Sequence, residues 1–334
     1  MKQNNYLLNF LKVTFFALLL IATSPVRAEI KVVTTIKPLH SLIANVMDGV
    51  GEPSLIIEDS TSPHSFTLKP SHAKLLEEAD LIFWVGEGIE TFMERPLESI
   101  VKNAEVVEFM EVESIEKLKF REESIYGVHD DHDDHDDHDD HDDHDDHDDH
   151  DDHDDHDDHA GHEGHNHGEF DAHIWLDPMN AKEMVREIAH ELGHLDPTNK
   201  DKYEANADAT ILALDQLIED VSKDINKDAK FVVFHDAYQY FEERFGVRAE
   251  GALTLNTDVL PGAKQIDEIQ DVIKDRGVNC IFSEPQFNPK IITTIAKDTN
   301  IKTGVFDPLG ANINSDKDLY FKLISNLGSE LKGC

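Results

Sequence analysis

A regular alternation of histidine and aspartate occupies the middle of this chain of 334 residues. The triplet His-Asp-Asp occurs ten times from position 129, an eleventh histidine closes the run at 159, and three more follow by 167. The segment 129–167 therefore contains 14 of the 21 histidines, together with 20 aspartates and no lysine or arginine. Imidazole suits zinc, copper, iron and nickel, while carboxylates suit harder cations. The tract predicts divalent-metal binding, with these weak candidate ligands: His129, His132, His135, His138, His141, His144, His147, His150, His153, His156, His159, His162, His165 and His167.

The same composition argues against a well-formed site within the tract. A run of Asp, Gly and His has no apolar periodicity, so it cannot offset the entropy that ordering would cost. Flexible ligands of this kind bind several ions weakly. We therefore interpret 129–169 as a disordered, histidine-rich metal-binding loop, and a solvated acidic spacer is the alternative interpretation.

Four residues outside the tract offer better-placed ligands. His235 and Asp307 each follow a predicted buried strand, His64 lies in a loop after another strand, and His173 comes just after the tract. In open α/β sheets, ligands bind outside the carboxyl ends of the strands, so these side chains are expected to meet in a cleft. Three nitrogens and one oxygen suit tetrahedral zinc. Each residue alone is weak evidence, because a lone histidine beside an apolar strand is more often packed or hydrogen-bonded.

The sequence His190-Glu191-Leu192-Gly193-His194 fits the H-E-x-x-H pattern of zinc hydrolases, in which two imidazoles bind the metal and the glutamate is the base. The extended metzincin form would need glycine at 197 and histidine at 200, where this chain has Pro197 and Lys200. The predicted helix also ends directly after His194. A solvated helix face is therefore the preferred interpretation of this motif.

Short β-rich runs alternate with helical patterns on both sides of the tract. The predicted strands are 30–35, 54–57, 80–85 and 105–109, then 230–235, 247–253, 278–283 and 302–306. The predicted helices are 38–48, 70–79 and 88–101, then 236–245, 262–276, 288–299 and 316–331. Strands separated by helices of this length predict parallel sheets in βαβ units. The fold class is therefore α/β, with two lobes, each a small parallel sheet flanked by helices.

Between the two halves, a helical stretch from 180 to about 226 is broken near Leu195-Asp196-Pro197. Its second part, 198–226, would be roughly 43 Å long at 1.5 Å per residue, enough to connect the lobes as one long helix. The predicted domains are a signal peptide at 1–28, an N-terminal lobe at 29–128 and 170–195, the loop at 129–169, a linking helix at 196–227 and a C-terminal lobe at 228–334.

The chain begins with the pattern of a secretory signal peptide. An apolar run of ten residues from Val13 to Ala22 precedes Val26-Arg27-Ala28, a small-residue cleavage site. Ten apolar residues are too few to span a bilayer, although a short membrane anchor is the alternative. We expect cleavage, localisation in a bacterial periplasm and no stable membrane insertion.

Only two cysteines are present, Cys280 and the terminal Cys334. In an oxidising compartment a disulfide is the expected state. A redox-active pair is the alternative, and the spacing does not form a Cys-x-x-Cys motif.

The formal net charge is −40, from 30 basic and 70 acidic residues. Such a surface repels nucleic acid and argues against binding to anionic lipid. Nucleic acid is therefore excluded as a partner.

Several separated motifs resemble one known family. IKPLHSLIANVMDGV, SPHSFTLKPSHAKLLEEADLIFWVG, DAHIWLDPMNA, FHDAYQYFEERFGV, SEPQFNPK and DPLGANI are similar to the ZnuA-type solute-binding proteins of zinc-uptake ABC transporters. The resemblance covers nearly all of 29–334, the histidine-rich insertion included.

The resemblance implies two lobes joined by a rigid helix, and metal ligands at His64, His173 and His235. For the fourth position it implies Asp307 or a water, because the residue before the first histidine is Pro63 and not an acid, and we predict Asp307. Some zinc-binding members also carry a disulfide like Cys280–Cys334. The other N-terminal histidines, His40 and His72, are interpreted as structural or surface residues.

Together these observations predict a monomeric, non-enzymatic periplasmic receptor. It would capture Zn²⁺ and deliver it to an inner-membrane ABC permease. Two alternatives are a metal buffer that acts mainly through the histidine-rich loop and a zinc hydrolase that uses His190, Glu191 and His194.

Overall fold

The computed structural model describes residues 30–121, 169–255, 261–299 and 301–334. The predicted signal peptide and the fourteen histidines of 129–167 lie outside these residues, so what was inferred for them stays a prediction. No helix within the described ranges is both long enough and apolar enough to cross a bilayer.

The N-terminal half forms a parallel four-stranded sheet in the order β2-β1-β3-β4. Its strands are β1 (Val32–Thr34), β2 (Ser54–Leu55), β3 (Leu81–Trp84) and β4 (Glu105–Glu108). Its helices are α1 (Lys37–Val46), α2 (Pro70–Glu78) and α3 (Glu94–Ser99). Every residue of LIFW in β3 is buried, as expected for a strand covered on both faces.

The C-terminal half repeats the same topology, with the parallel order β6-β5-β7-β8. Its strands are β5 (Phe231–His235), β6 (Gly251–Thr254), β7 (Cys280–Ser283) and β8 (Lys302–Val305). Its helices are α6 (Gln239–Phe245), α7 (Ala263–Asp275), α8 (Lys290–Thr299) and α9 (Leu319–Lys332). The prediction of two parallel sheets flanked by helices is therefore confirmed.

Along the chain, two helices separate the two sheets: α4 (Pro178–Leu195) and α5 (Lys200–Asp224). The first begins after Asp177, whose side chain accepts a hydrogen bond from the Met179 N–H and caps the helix, with proline in the first turn. The 25 residues of α5 correspond to roughly 38 Å. These helices pack against each other, and the long helix predicted between the halves is present. The domain boundaries within this arrangement stay a prediction.

The last helix, α9, packs against α1 and α5. Ser41 of α1 donates a hydrogen bond to the Lys317 carbonyl and accepts one from the Tyr320 N–H. The disulfide between Cys280 and Cys334 is present, so it ties the end of α9 to β7. The C-terminal segment thus holds the two halves together.

The main local difference from the predicted elements is at 88–101. A single helix was expected there, whereas the structure has a short 3-10 helix, Thr91–Met93, followed by the six residues of α3. Pro96 explains the late start, because proline lacks an N–H and is tolerated in the first turn of an α-helix but not in its interior.

Candidate metal centre

Three histidines from different parts of the chain meet between the two halves. His64 lies in a 3-10 turn after β2, His173 directly precedes another such turn, and His235 is the last residue of β5. Their ring centroids are 5.2–6.1 Å apart. One donor atom from each ring lies within 4.8 Å of the other two. The structure thus brings together three of the four residues predicted as ligands.

Two buried carboxylates orient two of these imidazoles. The Nδ1 atom of His173 lies 2.6 Å from Oδ1 of Asp171, and Nδ1 of His235 lies 2.6 Å from Oε1 of Glu284. Since an ionised carboxylate only accepts hydrogen bonds, each Nδ1–H is the donor. Each Nε2 atom then carries the lone pair, which is the arrangement of metal-binding histidines with a carboxylate behind them.

The two Nε2 atoms face each other at 3.3 Å. Two lone pairs at that separation repel each other unless a cation lies between or beside them. His173 and His235 are only 6% and 4% exposed, so bulk water does not screen this repulsion. The pair therefore fits a metal ion, with His64 completing three nitrogen ligands.

The carboxylate of Glu284 also affects the pKa of His235. Burial lowers the pKa of His235, but the negative charges of Glu284, Asp236 and Asp171 raise it, and the net pKa shift is upward. Protons therefore compete with a metal ion for Nε2 of His235 more strongly than they would for a nitrogen of an exposed imidazole.

The position of His235 and Glu284 follows from the topology of the second sheet. In the order β6-β5-β7-β8 the chain reverses direction across the sheet between β5 and β7. Ligands of open α/β sheets bind at such a switch point. His235 ends β5 and Glu284 directly follows β7, so both lie in this crevice.

Asp171 connects the centre to both halves. Gln239 of α6 donates a hydrogen bond to its Oδ2 atom at 2.7 Å, and the Tyr240 hydroxyl donates to its carbonyl oxygen at 2.6 Å. The Nδ1 partner of His173 is thus held by the C-terminal half. The orientation of His173 therefore depends on contact between the halves.

A cavity of about 210 Å³ opens onto the three histidines. Its lining includes Arg121, which binds Asp236 at 2.8 Å and Glu242 at 2.7 Å. Arg121 is the last described residue before the histidine-rich segment. The cavity thus lies at the root of that segment. Its lining consists of His64, Gly88, Ile89, Phe120, Arg121, Ala172, His173, His235, Asp236 and Leu255.

Asp307, the predicted fourth ligand, lies outside the group of three histidines. Its carboxylate accepts hydrogen bonds from the Gln286 side chain and from the N–H groups of Leu309, Gly310 and Ala311, at 2.6–3.2 Å. These bonds stabilise the loop after β8. The role of Asp307 as a ligand stays a prediction.

The remaining candidate histidines lie elsewhere. A ring nitrogen of His40, Nε2, lies 3.1 Å from the Pro53 carbonyl, and Nδ1 of His72 accepts from the Lys69 N–H at the start of α2. Neither belongs to a group of potential metal ligands among the described residues. In the H-E-x-x-H segment, Glu191 and His194 form a group with Glu105, and His190 belongs to neither of the two groups of potential ligands among the described residues.

Asp171 and Glu284 were not among the residues predicted from the sequence. The signal for Glu284 was available, because the argument that placed His235 at a strand end applies equally to the residue after β7. For Asp171 the only signal was its position two residues before His173 in DAHIW.

Two parallel α/β units that present imidazoles to a shared cleft define a two-lobed binding protein. The family model described as zinc-uptake complex component A, periplasmic (ZnuA), matches residues 32–334. The chain belongs to this family, and the resemblance seen in the motifs is confirmed.

Individual relatives agree with this assignment. The chain is 50% identical over 305 residues to the high-affinity zinc uptake system protein ZnuA of Brucella abortus (strain 2308), with 91% of each chain covered. It is 33% identical to the protein of the same name from Yersinia pestis, with 97% of this chain and 98% of that protein covered. A crystal structure of ZnuA has the same fold, with a TM-score of 0.70 at 20% identity, over 91% of this chain and 98% of that one.

Proposed function

We propose that this protein is a periplasmic zinc receptor that captures Zn²⁺ in the cleft and delivers it to an inner-membrane ABC permease. Relatives named as high-affinity zinc uptake proteins support this function over nearly the whole chain. The proposed location rests on the family and on the predicted signal peptide. We expect the receptor to act as a monomer.

The observation that carries the proposal is the pair of facing Nε2 atoms, 3.3 Å apart. Both imidazoles are buried and have their Nδ1–H groups committed to carboxylates. A preorganised set of three nitrogens matches the preference of zinc for nitrogen ligands in a tetrahedral site. We assign His64, His173 and His235 as the first three ligands.

The fourth position is taken by Asp307 or by water. Ligation by Asp307 would require its carboxylate to give up some of the four hydrogen bonds that hold the loop after β8. Asp307→Asn separates the two cases. A water ligand leaves zinc affinity within a few-fold of the parent, whereas loss of a carboxylate ligand weakens it by tenfold or more.

A binding role fits the cleft better than catalysis. Zinc hydrolases need an open coordination position and a general base beside the metal. The carboxylates next to the three histidines, Asp171 and Glu284, are instead committed to Nδ1–H groups. The metal is therefore cargo in this proposal, and the protein is not an enzyme.

The test is competition titration against a chromogenic zinc chelator. Replacing His64, His173 or His235 by alanine should each weaken the tight site by more than tenfold, that is, more than about 1.4 kcal/mol. His72→Ala is the matched control, because this residue lies on α2, where it accepts a hydrogen bond from the N–H of Lys69, and it belongs to no group of potential ligands among the described residues. Parental affinity in all three variants would overturn the assignment. Loss of several weakly bound ions on deletion of the tract, with no tight ion at all, would favour a buffer instead.

A further inference from the structure

A second group of potential metal ligands lies on the N-terminal half. Donor atoms of Glu105, Glu191 and His194 all lie within 4.8 Å of one another. We propose that these three side chains form a separate, peripheral site for a divalent cation of the zinc class. This inference goes beyond the cleft and does not depend on the proposed function.

The group is remote from the cleft because the two lie at opposite ends of the strands and of α4. Glu105 is the first residue of β4, whereas the cleft lies at the carboxyl ends of the strands. His194 lies in the last turn of α4, sixteen residues after Pro178 at its start, which corresponds to roughly 24 Å along the axis. The start of α4 directly follows His173 and its turn. A cation bound here would therefore not compete with one bound at the three histidines.

Two structural elements bring the three ligands together. Glu191 and His194 are three residues apart on α4, which places them on one face of the helix. Glu105 approaches from β4, and its Oε1 atom lies 3.7 Å from Nδ1 of His194. At that distance the two groups make no direct hydrogen bond, and an ion can be accommodated between the donor atoms with small side-chain movements.

The surroundings attract cations. A groove of carboxylates runs along this surface and includes no lysine or arginine among its lining residues, and its glutamates are Glu105, Glu108, Glu111, Glu113, Glu187 and Glu191. The C-terminal end of a helix also carries partial negative charge, and the site lies at that end of α4.

The two carboxyl groups of the site lie close together. Donor oxygens of Glu105 and Glu191 are within 4.8 Å of each other, and two carboxylates at such a separation repel each other. A bound dication would relieve this repulsion.

The ligand set indicates which ion binds. One imidazole and two carboxylates suit zinc and its neighbours better than they suit calcium, which takes six or more oxygens. Water would complete the coordination. This arrangement differs from that of H-E-x-x-H hydrolases, in which Glu191 would be the base and His190 a ligand; here Glu191 is itself a ligand and His190 is not part of the group.

Histidine modification measures this site directly in the full chain. The protein is equilibrated with Zn²⁺ at buffered free concentrations and treated with diethylpyrocarbonate, and modification of each histidine is read by tandem mass spectrometry. His190 and His194 are exposed to similar degrees, 74% and 71% for the side chains, so His190 is an internal control. We expect Zn²⁺ to protect His194 and leave His190 reactive.

Variants test which carboxylates hold the ion. Glu191→Gln and Glu105→Gln should each raise the half-protecting free Zn²⁺ concentration for His194 by at least tenfold. Glu187→Gln changes a residue of the same groove that is outside the group of three ligands. It should keep the half-protecting Zn²⁺ concentration within twofold of the parent value. His64→Ala should also leave it unchanged, because the cleft is separate.

Three results would overturn the proposal. They are equal protection of His190 and His194, protection of His194 that persists in both carboxamide variants, and no protection up to millimolar Zn²⁺. The first two would indicate general accumulation of cations on an acidic surface. Because Glu105 and Glu191 lie on different elements, the second variant still tests the proposal if the first fails to fold.

Discussion

Oε1 of Glu284 lies 2.6 Å from Nδ1 of His235, across the switch point between β5 and β7. The carboxylate is 3% exposed, and the same oxygen lies 3.3 Å from the backbone N–H of His235. It therefore fixes both the rotation of the imidazole and its tautomer. Asp171 has the same relation to His173. Each half thus supplies a histidine together with the carboxylate that orients it.

We expect Glu284→Gln to weaken zinc binding by about tenfold, the lower end of the range for such partners of metal-binding histidines. Glutamine keeps the size and an acceptor oxygen, but it removes the negative charge that makes the imidazole a stronger ligand. Isothermal titration with a competing chelator measures the change. Glu268→Gln on α7, whose partner is a surface lysine, is the control. Equal affinities in the two variants would contradict this role for Glu284.

A buried glutamate makes folding stability depend on pH. Glu90 is fully buried and accepts hydrogen bonds from the Thr35 hydroxyl and from the N–H groups of Val85 and Gly86. Burial, which outweighs these bonds, raises its pKa from 4.5 to about 7. Since the pKa in the folded state is above that of the unfolded chain, its contribution to stability is complete below pH 4.5 and is lost as pH rises through about 7.

Glu90→Gln should remove this pH dependence, because the amide resembles the protonated acid. The difference in unfolding free energy between wild type and variant should change by up to about 3 kcal/mol between pH 4.5 and 8, at about 1.4 kcal/mol per pKa unit. Urea unfolding of zinc-free protein at several pH values measures it. Glu98→Gln is the exposed control. Burial, together with Glu111 and Glu87, also raises the pKa of Glu108 to about 7, so the stability of the Glu90→Gln variant still depends somewhat on pH. A difference in unfolding free energy between wild type and variant that stays constant with pH would contradict the prediction.

The sequence was sufficient to predict both sheets because the apolar runs are nearly continuous. FVVF and LIFWV contain no polar residue, and the structure buries both. The strand-end rule, that ligands bind outside the carboxyl ends of the strands, then placed His235 at the cleft. The same argument places Glu284 at that end of β7, but its pairing with Nδ1 of His235 depends on which strand lies beside β5, and strand order was not inferred from the sequence.

Asp307 shows the limit of the strand-end rule. It follows β8, which is at the edge of the sheet and is separated from β5 by β7. The rule places Asp307 at the carboxyl ends of the strands, where His235 also lies, but it does not say which backbone groups will compete for the carboxylate. Three N–H groups of its own loop bind it, and that loop conformation has no simple sequence periodicity.

The disulfide is expected to stabilise the fold without affecting the metal. Cys280 and Cys334 are 54 residues apart in sequence, and neither residue belongs to a group of potential ligands among the described residues. For such a loop the chain-entropy model gives about 4 kcal/mol. The double variant Cys280→Ser/Cys334→Ser should therefore melt at a lower temperature, while zinc affinity by chelator competition stays within twofold. A large loss of affinity would mean that the packing of α9 controls the cleft.

Deleting 129–167 should leave the tight ion and remove the weak ones. The composition of 129–167 predicts that its fourteen imidazoles lose conformational entropy each time they bind a metal ion, whereas the three histidines of the cleft are preorganised. A flexible chain of about 40 residues would span roughly 35 Å, so we expect the tract to hold zinc near the cleft at an effective concentration of about 1 mM. We expect a growth defect only under zinc scarcity. Metal counting after gel filtration checks the stoichiometry, and loss of the tight ion would contradict the prediction.

The choice of metal should depend on His235. Imidazole favours zinc over manganese, whereas carboxylate oxygens favour harder ions, so His235→Glu should shift the ratio of the two dissociation constants toward manganese by at least tenfold, about 1.4 kcal/mol. The neighbouring Glu284 complicates the single variant, because two carboxylates in contact hold a proton between them.

The double variant His235→Glu/Glu284→Gln removes that repulsion and isolates the effect of ligand type. Its carboxylate at 235 can also bind through two oxygens, which raises the coordination number above the four that zinc prefers. Both dissociation constants are measured at one pH and one ionic strength, and Glu284→Gln alone is the matched background. The shift toward manganese should be larger in the double variant than in the single one. An unchanged ratio in both would mean that His235 does not bind the metal, or that the geometry of the cleft, and not the ligand type, determines selectivity.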